Sequence, residues 1–518
     1  MKLKHLSKLN IAALAVSAFW LIEYFGFGIA IFAKMWYTSP AIPFVGGVFA
    51  LLPFAAEILN IFKFKRKWLD ISVICASAAF AFAHFLVFLY IMSKLSYIIF
   101  AGVPYFITAG LAAVTAFFIF VFPRLNKLLK RIFAISISVI IAIICLVTLF
   151  NATPFYISGG ATVFAVDDEY QIAFATSHRS VGSVTVNGKT YSDSENGGMN
   201  ICKLHKISVP ASELDKAKSY SISTQSIALN TAYVPAKGPK ISKTYSFRPV
   251  DESDGWQIYN LSDTHECLPG PANAASYFGD RLDLLILNGD IINEVSSYYQ
   301  ISTIYKLAHR ITKGSRPVIY TRGNHEAVGS LLADFGKYVG CADRGFYYTY
   351  KVGSLSLLIL DTNNDMADDN KKVAPVINFD EVRAAQSEWI KGLGDWHEGY
   401  KYAFVVAHMA YPLKGYTRDG SHWSGWAKEL IELTDGKAQL AICGHSHKTV
   451  INEPHDDDNT IAGFPVLRGS IRSNKYAEKE GISPFEFTGT AIEIKGGNVN
   501  IKFTNAKKAV LGEYYLVV

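Results

Sequence analysis

Five short apolar runs in the second half of this chain each stop at an Asp, Asn or His, and that repetition restricts the fold more than any other feature. Gln257-Ile258-Tyr259-Asn260-Leu261 runs into Ser262-Asp263-Thr264-His265, and Leu284-Leu285-Ile286-Leu287-Asn288 into Gly289-Asp290. Pro317-Val318-Ile319-Tyr320 leads to Thr321-Arg322-Gly323-Asn324-His325-Glu326, Ala403-Phe404-Val405-Val406-Ala407 to His408, and Leu440-Ala441-Ile442-Cys443 to Gly444-His445-Ser446-His447. Runs this short and apolar suit buried strands, and helix-like stretches at 296–312 and 379–393 lie between them. Alternating strands and helices make an α/β domain, in which ligands gather outside the carboxyl ends of the strands. A single Gly-Asp carries little weight. Five strand ends with matching donors line one rim of a sheet with oxygen and nitrogen ligands. Asp-x-His and His-x-His suit such a rim, because alternate side chains on a strand point the same way.

The first 150 residues are of another kind. Apolar runs at about 11–33, 41–62, 68–92, 97–122 and 132–150 follow one another with almost no polar face. Each is near the roughly 20 residues that cross about 30 Å of hydrocarbon as a helix. The positive mean hydropathy of the chain agrees. Lys2, Lys4 and Lys8 precede the first run, Lys63, Lys65, Arg66 and Lys67 follow the second, and Arg124, Lys127, Lys130 and Arg131 follow the fourth. The positive-inside rule then puts the N-terminus in the cytoplasm and everything after about residue 151 outside it. The formal net charge of +6 is therefore attributed to membrane topology, and nucleic-acid binding is not expected. The first run reads as a signal anchor, being long for a cleaved signal and followed by further spans. Glu23, Glu57 and His84 fall within these runs; they suggest a headgroup-binding or ion-coupled site, or else residues paired at helix interfaces.

From 152 to 250 the composition shifts to short alternating strands. Tyr170-Gln171-Ile172-Ala173-Phe174 and Val184-Thr185-Val186 alternate, Asn187-Gly188 marks a hairpin, and Ile207-Ser208-Val209 and Tyr220-Ser221-Ile222 follow. This pattern suggests a small β-sandwich, and the Leu214 and Tyr220 pair resembles the corner of fibronectin type III modules. Pro235, Pro239 and Pro249 suggest a linker. His178 and His205 read as isolated surface or packing residues. Six widely spaced cysteines without a C-x-x-C indicate neither a disulfide framework nor a zinc knuckle, although one disulfide stays open.

With its five motifs in order, the segment 251–518 resembles the calcineurin-like metallophosphoesterases, a family with a central β-sandwich flanked by helices and a two-metal site. The chain is thus expected to be multidomain: an all-α transmembrane domain at 1–151, a fibronectin-III-like β-sandwich and linker at 152–250, and an α/β metallophosphoesterase domain at 251–518. The resemblance implies one metal on Asp263, His265 and His447, a second on Asn324, His408 and His445, and Asp290 bridging both. A shared carboxylate is reasonable for two cations about 3.5–4 Å apart, and metal coordination brings the pKa of water from about 15.7 to about 7. His325 is implied as the catalytic group that stabilises the transition state or protonates the leaving oxygen. Glu326 would orient a ligand from behind, or merely complement a helix N-terminus. Arg322 would clamp phosphate or form a salt bridge, and His422, with Trp423, lies where substrate contacts are expected. Gln386-Ser387-Glu388-Trp389 resembles the helix that many members carry before the first His strand.

A β module ahead of such a domain also resembles purple acid phosphatases. Those carry Gly-Asp-x-x-Tyr, whereas this chain has Gly289-Asp290-Ile291-Ile292-Asn293. The expected cofactors are therefore two ordinary divalent ions (Mn, Fe, Zn or Co) without iron–tyrosinate chemistry. The expected activity is hydrolysis of a phosphate mono- or diester by metal-activated hydroxide, at a membrane and outside the cytoplasm, on a substrate that could be lipid-linked or part of the cell envelope. A catalytically silent scaffold and a lipid-handling or transport unit with an appended hydrolase are the alternatives. The presence of all seven ligands speaks against the first.

Overall fold

The computed structural model describes residues 154–230, 235–364, 366–409, 422–456, 462–469 and 487–518. The five spans expected within 1–151, with Glu23, Glu57 and His84, lie outside the described residues, among which no helix is long and apolar enough to cross a membrane. Residues 154–228 and 237–518 form one compact unit.

Three parallel strands stand at its centre: β9 (Trp256–Leu261), β10 (Leu284–Asn288) and β11 (Pro317–Thr321). Their residues are apolar on both faces because both faces are covered, as parallel strands require. In β10, Leu284 and Ile286 enter one apolar cluster, and Leu285 and Leu287 enter another. The first cluster lies between two sheets and also takes Leu357, Ile359, Phe404, Val406 and Ile442 from the second. The other lies beneath helices α2 (Pro269–Ala275) and α3 (Tyr298–Thr312), through Ala274, Ile301, Ile304 and Leu307. Ser297 caps α3 by accepting from the Gln300 N–H at 3.2 Å, so the helix starts two residues later than its periodicity suggests.

The second sheet runs β12 (Tyr348–Val352), β13 (Leu355–Leu360), β14 (Tyr402–Ala407), β15 (Leu440–Cys443), β17 (Val466–Gly469), β16 (Thr449–Asn452), with β13, β14, β15 and β17 parallel. Its outer face packs on α4 (Phe379–Leu393) and α5 (His422–Thr434) through Ile390, Trp426, Leu430 and Ile431. The layers are therefore helix, sheet, sheet, helix. On the first sheet β18 (Thr488–Lys495), β19 (Asn498–Asn505) and β20 (Val510–Val517) extend one side antiparallel.

The segment 152–250 differs from expectation. The short strands are there, as β1 (Ile157–Val166), β2 (Glu169–Val186), β3 (Lys189–Ser192), β6 (Cys202–Pro210) and β7 (Ser219–Leu229), with Asn187-Gly188 turning between β2 and β3. Two-residue strands β4 (Ser194–Glu195) and β5 (Gly198–Met199) pair with each other. They do not close into a sandwich of their own. β1 pairs in parallel with β11, Val163 opposite Pro317, so the first sheet continues through β1, β2 and β7 into twelve strands. Burial explains this: Phe164 and Val163 are fully buried and join clusters that already contain Tyr320 and Ile319. The expected linker also contains an edge strand, β8 (Ala236–Ser246), where Pro239 is tolerated because an edge needs no N–H on its outer side. Cys202, Cys267, Cys341 and Cys443 form no disulfide.

Leu214, in helix α1 (Ala211–Ala217), and Tyr220 are buried as their spacing suggests. Tyr220 stacks on Tyr245, and its hydroxyl donates to the Gly314 carbonyl at 2.8 Å, beyond the end of α3. It ties the N-terminal strands to the part of the fold that follows residue 251. Tyr220→Phe keeps the ring and leaves that carbonyl without its donor. The expected loss is about 1–3 kcal/mol, read as a lower denaturant midpoint with unchanged slope; an unchanged midpoint would show that the bond contributes nothing.

Candidate metal centre

All the strand-end motifs meet at the carboxyl edge where the two sheets face each other. Asp263 and His265 follow β9, Asp290 follows β10, and Asn324 and His325 follow β11 in the first sheet. His408 follows β14, and His445 and His447 follow β15, in the second. The edges are tied together by Asn288, whose side-chain N–H donates to the Ile442 carbonyl at 3.0 Å while its own carbonyl accepts from His408 Nδ1 at 2.7 Å. A polar residue closing an otherwise apolar strand was the sequence signal for this tie.

The donors form two groups around Asp290. Asp263, His265 and His447 offer atoms within 4.8 Å of one another, and so do Asp290, His408 and His445. Asn324 Oδ1 joins the second group, 3.2 Å from His408 Nε2 and 2.8 Å from His445 Nδ1. Asp290 Oδ2 lies 3.3 Å from His408 Nε2 and 3.9 Å from His265 Nε2, between the groups. Asp263 Oδ1 is buried without a hydrogen bond, 3.7 Å from His447 Nε2. Ring orientation is set from behind: His408 Nδ1 faces the Asn288 carbonyl, and His265 Nδ1 faces Asn293 Oδ1 at 3.1 Å. Each turns its Nε2 inward, the arrangement that metal-binding imidazoles adopt. Carboxylate, amide and imidazole donors converging on buried positions fit two divalent cations.

The backbone is bent to achieve this. Asp263, His265, Asp290, His445 and His447 all have φ between 45° and 63°, a conformation costing non-glycine residues on the order of 1 kcal/mol or more each. Hydrogen bonds from His265 N–H to the Asp290 carbonyl (2.9 Å) and from His445 N–H to Asp263 Oδ2 (3.0 Å) hold them there. Gly289 is required beside them, since a Cβ at that position would lie 2.4 Å from His408 Nδ1.

The remaining sequence candidates separate clearly. His325 is the exposed imidazole of the centre: its side chain is 41% exposed against 3% for His265. Its Nδ1 faces the Asn293 carbonyl at 2.8 Å, leaving Nε2 directed 4.0 Å from Asp290 Oδ2. Glu326 starts no helix. Its buried carboxylate accepts from the backbone N–H groups of Asp290 (2.7 Å), Ile291 (2.7 Å), Ile292 (3.0 Å) and Gly323 (2.9 Å). Burial and the Asp290 charge push its pKa up to about 7 against those donors. Arg322 forms a buried ion pair with Asp361 and donates to Asn363 Oδ1 at 2.8 Å, its guanidinium over Phe346 and Phe379. It is thus a structural cation, not a phosphate clamp. His422 opens α5, but its side chain and residues 410–421 lie outside the described part. Gln386 pairs its amide with the N–H and carbonyl of Asp361, fixing the end of β13. Sequence reasoning missed the bracing roles of Asn293 and Glu266; Glu266 Oε1 accepts from Asn293 Nδ2 at 3.2 Å and Gln300 Nε2 at 3.3 Å.

Residues 257–449 match the family model described as calcineurin-like phosphoesterase. No curated protein matches the chain. Among solved structures it is similar to the purple acid phosphatase PPD1 of yellow lupin (Lupinus luteus), at 9% identity over 69% of this chain and 74% of that one, with a TM-score of 0.45. It is also similar to PhoD, at 11% identity over 69% and 88% with a TM-score of 0.42, and to a dimetal phosphatase from Danio rerio, at 11% over 51% and 98% with a TM-score of 0.36. A calcineurin-like phosphoesterase domain thus occupies 257–449, and the chain is a phosphate-ester hydrolase of the kind that works with a dinuclear divalent centre.

Two outcomes follow from this geometry. Asp290→Asn removes the shared charge and should abolish turnover and lower bound metal; a fully metallated, active variant would refute the bridging assignment. In the metal-free centre burial opposes a charged His408, but Asp290 and Asp263 outweigh it and raise its pKa to about 10. Metal must then displace a proton, so affinity should rise as pH increases from 7 towards 10. Calorimetric titration of the stripped protein at pH 7, in buffers of different ionisation enthalpy, should report release of roughly one proton or more. Zero release would mean that His408 is neutral beforehand.

Proposed function

We propose that this hydrolase is anchored in a membrane by its N-terminal segment and cleaves phosphate mono- or diesters on the extracytoplasmic side, with Asp290 bridging two divalent ions. The observation that carries the catalytic part is the position of Asp290 between two donor groups drawn from both sheets. Asp263, His265 and His447 would hold one ion, and Asn324, His408 and His445 the other. When bound, two such ions supply Lewis acidity to the phosphate and lower the pKa of the attacking water. Asn293 stands where purple acid phosphatases have Tyr, so Mn, Fe(II), Zn or Co is expected without a tyrosinate.

The protein's own contribution to the leaving step is His325. With Nδ1–H donated to the Asn293 carbonyl, its Nε2 is aimed at the exposed mouth of the centre. A proton on that nitrogen can pass to the departing oxygen. The five apolar runs and the Lys/Arg asymmetry of their loops support the membrane part. Anchoring there favours a lipid-linked or cell-envelope phosphate ester as substrate.

His325→Gln should retain metal and lower kcat for an alkyl ester by roughly 10²–10⁴, with a much smaller loss for a nitrophenyl ester, whose leaving group needs no proton. Equal losses on both esters would remove His325 from the leaving step. For topology, protease added outside intact cells should digest the segment after residue 153 of the full chain. Complete protection there, with digestion after lysis, would place the centre in the cytoplasm.

A further inference from the structure

We infer that Asp193, Cys202 and His205 form a separate site for one zinc-class ion, remote in sequence from the hydrolytic motifs. They lie on the strands before the phosphoesterase domain, and their donor atoms are within 4.8 Å of one another. Cys202 Sγ is 3.5 Å from His205 Nδ1 and 3.6 Å from Asp193 Oδ2, and Nδ1 is 2.6 Å from Oδ2. Tetrahedral zinc, with bonds of about 2.3 Å to sulfur and about 2.1 Å to nitrogen and oxygen, puts S···N and S···O near ~3.6 Å and N···O near ~3.4 Å. Two edges of that tetrahedron are therefore in place. The third is held short by the proton that His205 and Asp193 share, and opens when a metal replaces it.

The ring is set for this from its other side. His205 Nε2 lies 2.9 Å from Ser180 Oγ, which lies 3.0 Å from Thr176 Oγ1, which donates to the His178 carbonyl at 2.8 Å. With metal on Nδ1, Nε2–H donates to Ser180, Ser180 to Thr176, and Thr176 to the carbonyl, so every group has a partner and the tautomer is fixed. The imidazole is fully buried and stacked on Phe174, with ring centroids 4.9 Å apart. Asp193, His205 and Ser180 also stand in the order of a hydrolytic triad, but Ser180 is wholly buried and no substrate can reach it. Cys202 is partly exposed, which gives an ion its way in and leaves a fourth position for water.

Local geometry brings these residues together. Residues three apart on a regular strand face opposite ways, yet Cys202 and His205 converge. The β2–β6 register jumps between Ala175↔Leu204 and Ser180↔Cys202 and re-aims one of them. Asp193 closes the small β4–β5 hairpin, accepting from Asn200 N–H at 2.9 Å and Asn200 Nδ2 at 2.7 Å. An ion here would clip that hairpin to β2 and β6. Without metal, burial and the Asp193 charge push the Cys202 thiol up to about 12, so it remains protonated and donates to the Leu204 carbonyl at 3.0 Å.

The test is cobalt(II) titration of the metal-stripped full chain. Among the described residues the hydrolytic centre's donor groups include no cysteine, so a thiolate-to-cobalt charge-transfer band that depends on Cys202 reports this site. The expected result is a third equivalent of metal carrying that band, displaced by zinc. Cys202→Ser should lose the band and the third equivalent while keeping two equivalents and phosphoesterase activity. Absence of the band in the parent, or an undiminished band in Cys202→Ser, overturns the site. Should that variant fail to fold, Asp193→Asn decides: a roughly tenfold or greater loss of cobalt affinity supports the site, and unchanged affinity overturns it.

Discussion

Glu326 gathers four backbone N–H groups onto one buried carboxylate, three from Asp290–Ile292 and one from Gly323, and the hydrolytic centre is arranged around that clamp. Those hydrogen bonds favour its charged form and only partly offset the burial and the Asp290 charge that push its pKa up to about 7. The clamp draws the loop after β10 against the loop after β11. There His325 N–H donates to Asp290 Oδ1 at 2.9 Å. Asp290 is thereby held with φ 52°, its second oxygen turned to the imidazoles. Of the two roles open to Glu326 in the sequence, orienting a neighbour or starting a helix, the structure shows the first: it sets the position of the Asp290 carboxylate.

Around it the two sheets contribute unequally. The first brings Asp263, Asp290, His265, Asn324 and the exposed His325; the second brings His408, His445 and His447. Their register depends on Asn288, which bonds to the second sheet with both its amide and its carbonyl. The left-handed backbone at Asp263, His265, Asp290, His445 and His447 is tolerated because these bonds and the packing on either side over-determine it. Asn293 braces His265 with its side chain and His325 with its carbonyl.

Beyond the centre, the N-terminal strands are part of the hydrolase sheet. β1 docks beside β11, and the strand that precedes His325 is thereby interior, with neighbours on both sides. That arrangement stiffens the platform from which His325 and Asn324 project. The cluster at Asp193, Cys202 and His205 sits further out along the same sheet, so order imposed there would be passed on through paired strands.

Much of this was legible in the sequence because it rests on local regularities. Apolar runs ending in Asp, Asn or His gave the strands and the donors that converge at their ends; Asn187-Gly188 gave a hairpin; and residues 379–393 gave a helix with the bounds it has. Which sheet takes a strand is not local. The alternation of β1 and β2 fits a separate sandwich as well as an extended sheet, and only the burial of Phe164 and Val163 against Tyr320 and Ile319 decides between them. Arg322, two residues before Asn324, could have faced phosphate, and the position of Asp361, 39 residues on, made it an ion pair. Cys202 and His205 were isolated in the sequence because their partner Asp193 and the register jump that joins them exist only once the strands are paired. The residue types determined what chemistry the chain can support; tertiary pairing decided which donors share a site, since metal ligation depends on distances of a few ångströms between residues far apart in the chain.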